Sequence, residues 1–219
     1  MTDEVSISND ALSNIGKKSI SGFTEKSAEA RACKQFYERT LRILLTAYPY
    51  RWATGVKSLA QRSTNDNSLK WLYAYDVPND CLKIQFIGIN PGLTVNDPLP
   101  DLGAGYDTQA GFPYDRIGQT LYCNISPCFL YYTQMQTDPT RFPDVFADAL
   151  GWHLAARIAM PLTRDPKLRA DSLNVATQMQ MAAQMADANE VRETTDFHTD
   201  FDRVRETGIG DPQSWRRDC

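Results

Sequence analysis

The residues that could do chemistry are few. Asp97, Asp101, Asp107 and Asp115 stand in one stretch rich in Gly and Pro, with Tyr106 among them. Paired carboxylates there could cleave a glycosidic bond, one as acid and the other as base or nucleophile, or could ligate calcium. Loop aspartates also form turns, because the side chain bonds nearby backbone amides. His153 lies in WHLAARIA, on or near an apolar helix face, and reads as a core or interface residue. His198 lies in a charged segment and reads as solvated. No G-x-S-x-G context supports a nucleophilic serine. Cys123 and Cys128 are separated by four residues rather than two, with no second pair of ligands, so they read as buried thiols and not as a zinc site. Gly103-Ala104-Gly105 follows no clear strand and lacks the glycine three residues on, so it is no dinucleotide loop. Neither a metal nor a cofactor is expected.

Composition narrows the classes. The 219 residues carry 23 Lys plus Arg against 27 Asp plus Glu, a formal charge of −4. A dedicated nucleic-acid binder needs a net basic footprint, which this balance lacks. The basic residues are scattered: Arg31, Arg39 and Arg42 share one segment, and Arg203, Arg205, Arg216 and Arg217 are mixed with acids. Arginine is the only cation after Lys167, which suits pairing with carboxylates on a protein partner. The opening MTDEVSISND has no basic or apolar signal region, and no apolar run is long enough to span a bilayer. Five irregularly spaced cysteines fit synthesis in a reducing cytosol. In that setting the sequon at Asn124 has no role.

The elements that position these residues follow from periodicity. A short helix is expected over residues 8–16, capped by Ser8 or Asn9 and stopped by Gly16. A longer one runs from a Thr24 cap to about Tyr48. Its stripe is Cys33, Tyr37, Leu41, Leu44 and Tyr48, widened by Phe36, Ile43 and Leu45. Residues 56–62 read as a strand. Trp71, Tyr73 and Tyr75 alternate along one face, and Leu82, Ile84 and Phe86 alternate again. Residues 119–124 and 128–133 read as a hairpin around Ile125-Ser126-Pro127. Residues 90–117 lack periodicity and read as a long, functional loop.

Helical spacing returns at Asp138 and should end at Pro161. Asp165 then caps, with Pro166 at the first helical position, a helix running to about Ala188. Its face is Leu168, Val175, Met179, Ala183 and Ala186, and the rest carries little charge. That pattern suits contact with neighbours on several sides, other subunits included. The order of helices, strands, then helices gives an α+β class. The organisation is a helix bundle from residues 1–54 and 138–189, an inserted antiparallel β subdomain at 55–137, and an extended arm at 190–219.

Several stretches resemble the head-to-tail adaptor family of tailed bacteriophages, the tail tubular protein A group. ALSNIGKKSI followed by SAEARACKQFYERTLRILLTAYPYRWAT is similar to the family's opening helix pair. WLYAYDVPNDCLKI resembles its aromatic strand, Pro turn and returning strand. RIGQTLYCN with CFLYYTQ resembles its next hairpin, and FPDVFADALGWHLAARIAMPLTRDPKL its paired C-terminal helices. The resemblance covers about residues 8–190. The loop and the arm depart from it.

The resemblance implies a structural, non-enzymatic role at the head–tail junction of a virion, after synthesis in the host cytoplasm. Family members form a ring, usually of twelve copies, below the portal protein. The ring extends the channel for double-stranded DNA, without sequence-specific binding, and carries the tail or nozzle. No membrane is involved. On this expectation Phe197, Phe201, Trp215, Arg216 and Arg217 anchor the arm to the portal. Val175, Met179 and Ala183 lie in the ring interface, and Asp97, Asp101, Tyr106 and Asp115 form a tail-side loop. The competing expectation is a tail-associated glycan hydrolase that uses the loop aspartates.

Overall fold

Caps and apolar stripes set the helices. The computed structural model describes residues 3–89 and 112–190. Helix α1, Glu4–Asn14, begins earlier than the sequence suggests, because Asp3 and Ser6 form a reciprocal capping box. Ser8 is therefore interior and donates its hydroxyl to the Glu4 carbonyl. Gly16, at φ 68°, takes the left-handed turn that follows. Asn9 then clamps the returning chain, accepting from the Ile20 amide and donating to its carbonyl.

Helix α2, Ala28–Ala47, is capped by Ser27 rather than Thr24. Cys33, Tyr37, Leu41, Leu44 and Leu45 are buried, as the period requires. Ile43 is not part of that stripe; it is 44% exposed, and Thr40 is buried instead, bonded to the Phe36 carbonyl. A 3₁₀ turn, Arg51–Ala53, leads into the strands. Around it Tyr48, Tyr50, Trp52, Phe142 and Phe146 form a chain of edge and tilted ring contacts with centroids 4.8–5.8 Å apart.

Six strands make two antiparallel sheets. Strands β1 (Thr54–Ser58), β6 (Phe129–Gln134) and β3 (Cys81–Gly88) form one, with β6 central. Strands β2 (Tyr73–Asp76), β5 (Thr120–Cys123) and β4 (Tyr114–Ile117) form the other, with β5 central. Ile84, Ile87, Leu130 and Tyr132 from the first sheet share a core with Tyr75, Leu121 and Cys123 from the second. The expected hairpin of β5 with β6 is absent: the Ile125-Ser126-Pro127 turn, with a cis Ser126–Pro127 bond, passes the chain from one sheet to the other. The local hairpin is β4–β5, with Gly118 at φ 62° in a two-residue turn between Ile117 and Thr120.

Alternation is also broken in two places. A register shift between Ile84 and Phe86 turns both Ile84 and Ile87 inward and leaves Phe86 stacked on Tyr131 at 4.1 Å. Trp71 does not share a face with Tyr75; it precedes β2 and packs on Ala74 and Tyr122 on the other side.

Helix α3, Asp144–Thr163, starts after a 3₁₀ turn, Pro139–Arg141, so the helix expected at Asp138 is delayed. Pro161 does not end it. The helix continues to Thr163 and stops at Arg164, which has left-handed φ 57°. A Pro in the last turn removes one hydrogen bond without removing the helix. Helix α4, Pro166–Asn189, is capped as expected, with Asp165 accepting from the Lys167 and Leu168 amides. Helices α1, α2 and α3 build the bundle core, and Ala183 of α4 is buried in it.

Candidate interaction surfaces

The inner face of α4 is set by small and polar residues. Ser172, Ala176, Ala183 and Asp187 are buried, and Leu168 and Met179 are half-buried against the bundle core. Ala183 therefore meets its own chain, which corrects its expected place in a ring interface. Met179 turns the same way and Val175 is half-buried beside them. The opposite face carries Met181 and Met185, 56% and 68% exposed, and Leu173, 47% exposed, lies on the flank about a quarter turn from the buried side. With Arg169 and Thr177 these form one row at four-residue spacing along the helix.

Two contacts hold α4 to the bundle. His153 Nε2 lies 3.0 Å from Gln180 Oε1. The buried Asp187 carboxylate accepts from the Arg51 amide, at 3.0 Å to Oδ1 and 3.1 Å to Oδ2. It thus caps the 3₁₀ turn that starts the β subdomain. Burial, and then the Asp187 charge, push the Tyr50 phenol up to about 12. Burial lowers the His153 pKa, Gln180 opposes that change, and the Arg157 charge adds to it.

Arg157 of α3 is half-buried, and its pKa is lowered by desolvation and then by the charges of Arg39 of α2 and Arg169 of α4. The ion pairs among the described residues are elsewhere: Arg42–Glu38, Arg62–Asp76 and Lys70–Asp115. On the other side of α3, Asp144 and Asp148 are exposed one turn apart, with Val145 39% exposed between them. Asp10 of α1 stands beside them, its Cβ 3.9 Å from where a side chain on Gly151 would begin.

Asp115 is not in a loop. It sits in β4, 3.7 Å from Lys70 Nζ, and that ammonium lies 5.0 Å from the Trp71 ring centroid. Asp97, Asp101 and Tyr106 lie outside the described residues, as do His198, Phe197, Phe201, Trp215, Arg216 and Arg217. Cys33, Cys81, Cys123 and Cys128 are buried free thiols. Burial raises Cys33 to about 11. The Cys128 thiol is held protonated by its hydrogen bond to Cys123 and by burial. Among the described residues no group of His, Cys, Asp and Glu is placed to hold a metal ion, and no helix is long and apolar enough to cross a membrane.

Sequence reasoning missed the Asp187 cap, which has no local signal because its partner is 136 residues away. Neither a protein-family model nor a curated protein matches the chain.

Proposed function

We propose that the chain is a structural virion protein, the subunit of a head-to-tail adaptor ring below the portal of a tailed bacteriophage. The ring, of twelve copies, extends the DNA channel and gives the tail or nozzle its platform. Residues after Glu190 dock to the portal. The observation that carries the reading is the exposed row of Leu173, Met181 and Met185 along the longest described helix, which winds from the flank of the packed face to the opposite side. An uncharged helix face of that length suits burial against a neighbouring copy. Its support is the order of elements: a bundle interrupted by a β subdomain, as the resembling segments imply.

The electrostatics agree with a conduit. Twelve chains of −4 carry about −48, which repels phosphates where acids line the lumen. The test is the mass of the full-length protein with and without portal particles, followed by imaging of its symmetry. A closed ring on the portal is the expected result. A chain that stays monomeric and unbound with portal present removes the reading. Deleting the residues after Glu190 should abolish portal docking and leave the bundle folded.

A further inference from the structure

Cys123 and Cys128 are the two ends of the turn that carries the chain from one sheet to the other. Cys123 closes β5, where it pairs across the ladder with Tyr73 of β2 and Tyr114 of β4. Cys128 precedes β6, and its carbonyl accepts from the Leu59 amide at 2.9 Å. Both backbones are thus held by partners outside the turn. Both side chains are fully buried in the core that the sheets share.

The thiols meet there. Cys128 donates to the Cys123 sulfur, and Cys123 donates to the Ile125 carbonyl at 3.7 Å. Tyr75 Oη donates to the same carbonyl at 2.9 Å. The other described cysteines are out of reach. Cys81 pairs with Gln134, at the far end of β6 from the residue that follows Cys128. Over the six residues of that strand the separation is about 17 Å. Cys33 belongs to the bundle core.

Two thiols in contact have a two-electron reaction open to them. The hydrogen bond from Cys128 lowers the Cys123 pKa, burial opposes it, and a backbone hydrogen bond at Ile125 adds to it. Cys123 is therefore the nucleophile of the pair.

We infer that Cys123 and Cys128 form a site of oxidative modification, at which hydrogen peroxide converts the pair to a disulfide joining the end of β5 to the start of β6. The Cys123 sulfur attacks one peroxide oxygen, the O–O bond breaks, and water leaves a sulfenic acid behind. The Cys128 sulfur then attacks the Cys123 sulfur, the S–O bond breaks, and a second water departs. Each thiol has lost one hydrogen, and the peroxide is reduced to two waters. Peroxide is small and uncharged, so local opening of the connection admits it. A reducing compartment keeps the pair open and an oxidising one closes it. The site does not depend on the ring reading above.

The test uses the full-length protein, reduced, freed of reductant and treated with hydrogen peroxide while folded. It is then unfolded, alkylated with N-ethylmaleimide and digested with trypsin. The peptide from Ile117 to Arg141 contains both cysteines and no third. The expected result is that this peptide loses two hydrogens and takes up no maleimide, while Cys33 and Cys81 are still alkylated. The oxidised protein should melt about 5 °C higher, and dithiothreitol should reverse both changes. Cys128→Ser should stop at a Cys123 sulfenic acid that dimedone traps, with no rise in melting temperature. A peptide that still takes up two maleimides, one carried to sulfinic acid, or a disulfide from either residue to another cysteine overturns the site. So does a disulfide that forms only with urea present during oxidation, because the folded geometry then does not supply the pair. If Cys128→Ser does not fold, the mass of the wild-type peptide decides alone.

Discussion

His153 is held neutral by its surroundings, and that ties stability to pH. Its pKa is lowered from an ordinary 6.5, first by burial, with Gln180 opposing and Arg157 adding. The unfolded chain therefore binds a proton that the folded chain resists. Stability is full above 6.5 and is lost as pH falls from there through the folded pKa. His153→Gln cannot titrate and should flatten that part of the profile. Urea denaturation of both proteins at pH 5.5 and pH 7.5 checks it, and an unchanged slope would remove His153 as the cause. A second position is steric. A Cβ on Gly55 would lie 3.1 Å from Tyr132 Cζ, and the Tyr132 hydroxyl is anchored to Asp80 Oδ2 at 3.2 Å. Gly55→Val should cost about 1–3 kcal/mol, read as a lower melting temperature. The buried character of His153 was legible in its apolar neighbours. The constraint at Gly55 was not, because Tyr132 meets it only through the β1–β6 register.

Elements were legible where their signals are local. The repeat of Cys33, Tyr37, Leu41 and Leu44 names the buried face of α2, and Asp165-Pro166 names the start of α4. Signals that depend on distant partners were not. Strands β5 and β6 looked like a hairpin, yet β5 pairs with β4 across the Gly118 turn and with distant β2, and β6 pairs with distant β1 and β3. The orientation of α4 was ambiguous because both faces are low in charge. Val175, Met179 and Ala183 fit either side, and only packing on the bundle decides that Ala183 turns inward. What fixes the far end of that helix is Asp187 on the Arg51 amide. Asp187→Ala leaves that amide without its acceptor and should cost about 1–3 kcal/mol in chemical denaturation. Asp187→Asn keeps an oxygen in place and should cost less. Equal losses for the two would mean that the carboxylate's charge, and not its hydrogen bond, holds the turn.

At the scale of the molecule, the two faces of α4 divide folding from assembly. Ser172, Ala176, Ala183 and Asp187 serve the fold, while Leu173, Met181 and Met185 stay about half or more exposed among the described residues. Substitutions at exposed positions away from caps and cores usually change stability by no more than about 0.5 kcal/mol. A ring, in contrast, would bury the same side chains once per copy, and a lysine placed there would have to be desolvated at every junction. Met181→Lys with Met185→Lys should therefore leave the melting temperature and circular dichroism of the monomer close to wild type and abolish the ring on the portal. The inner substitution Ala183→Lys should do the reverse and unfold the bundle before assembly can be asked about. Measuring melting temperature and assembled mass on the same samples separates the two effects. A double-lysine variant that still forms rings would mean that copies meet through another face, and the exposed methionines would need a different partner.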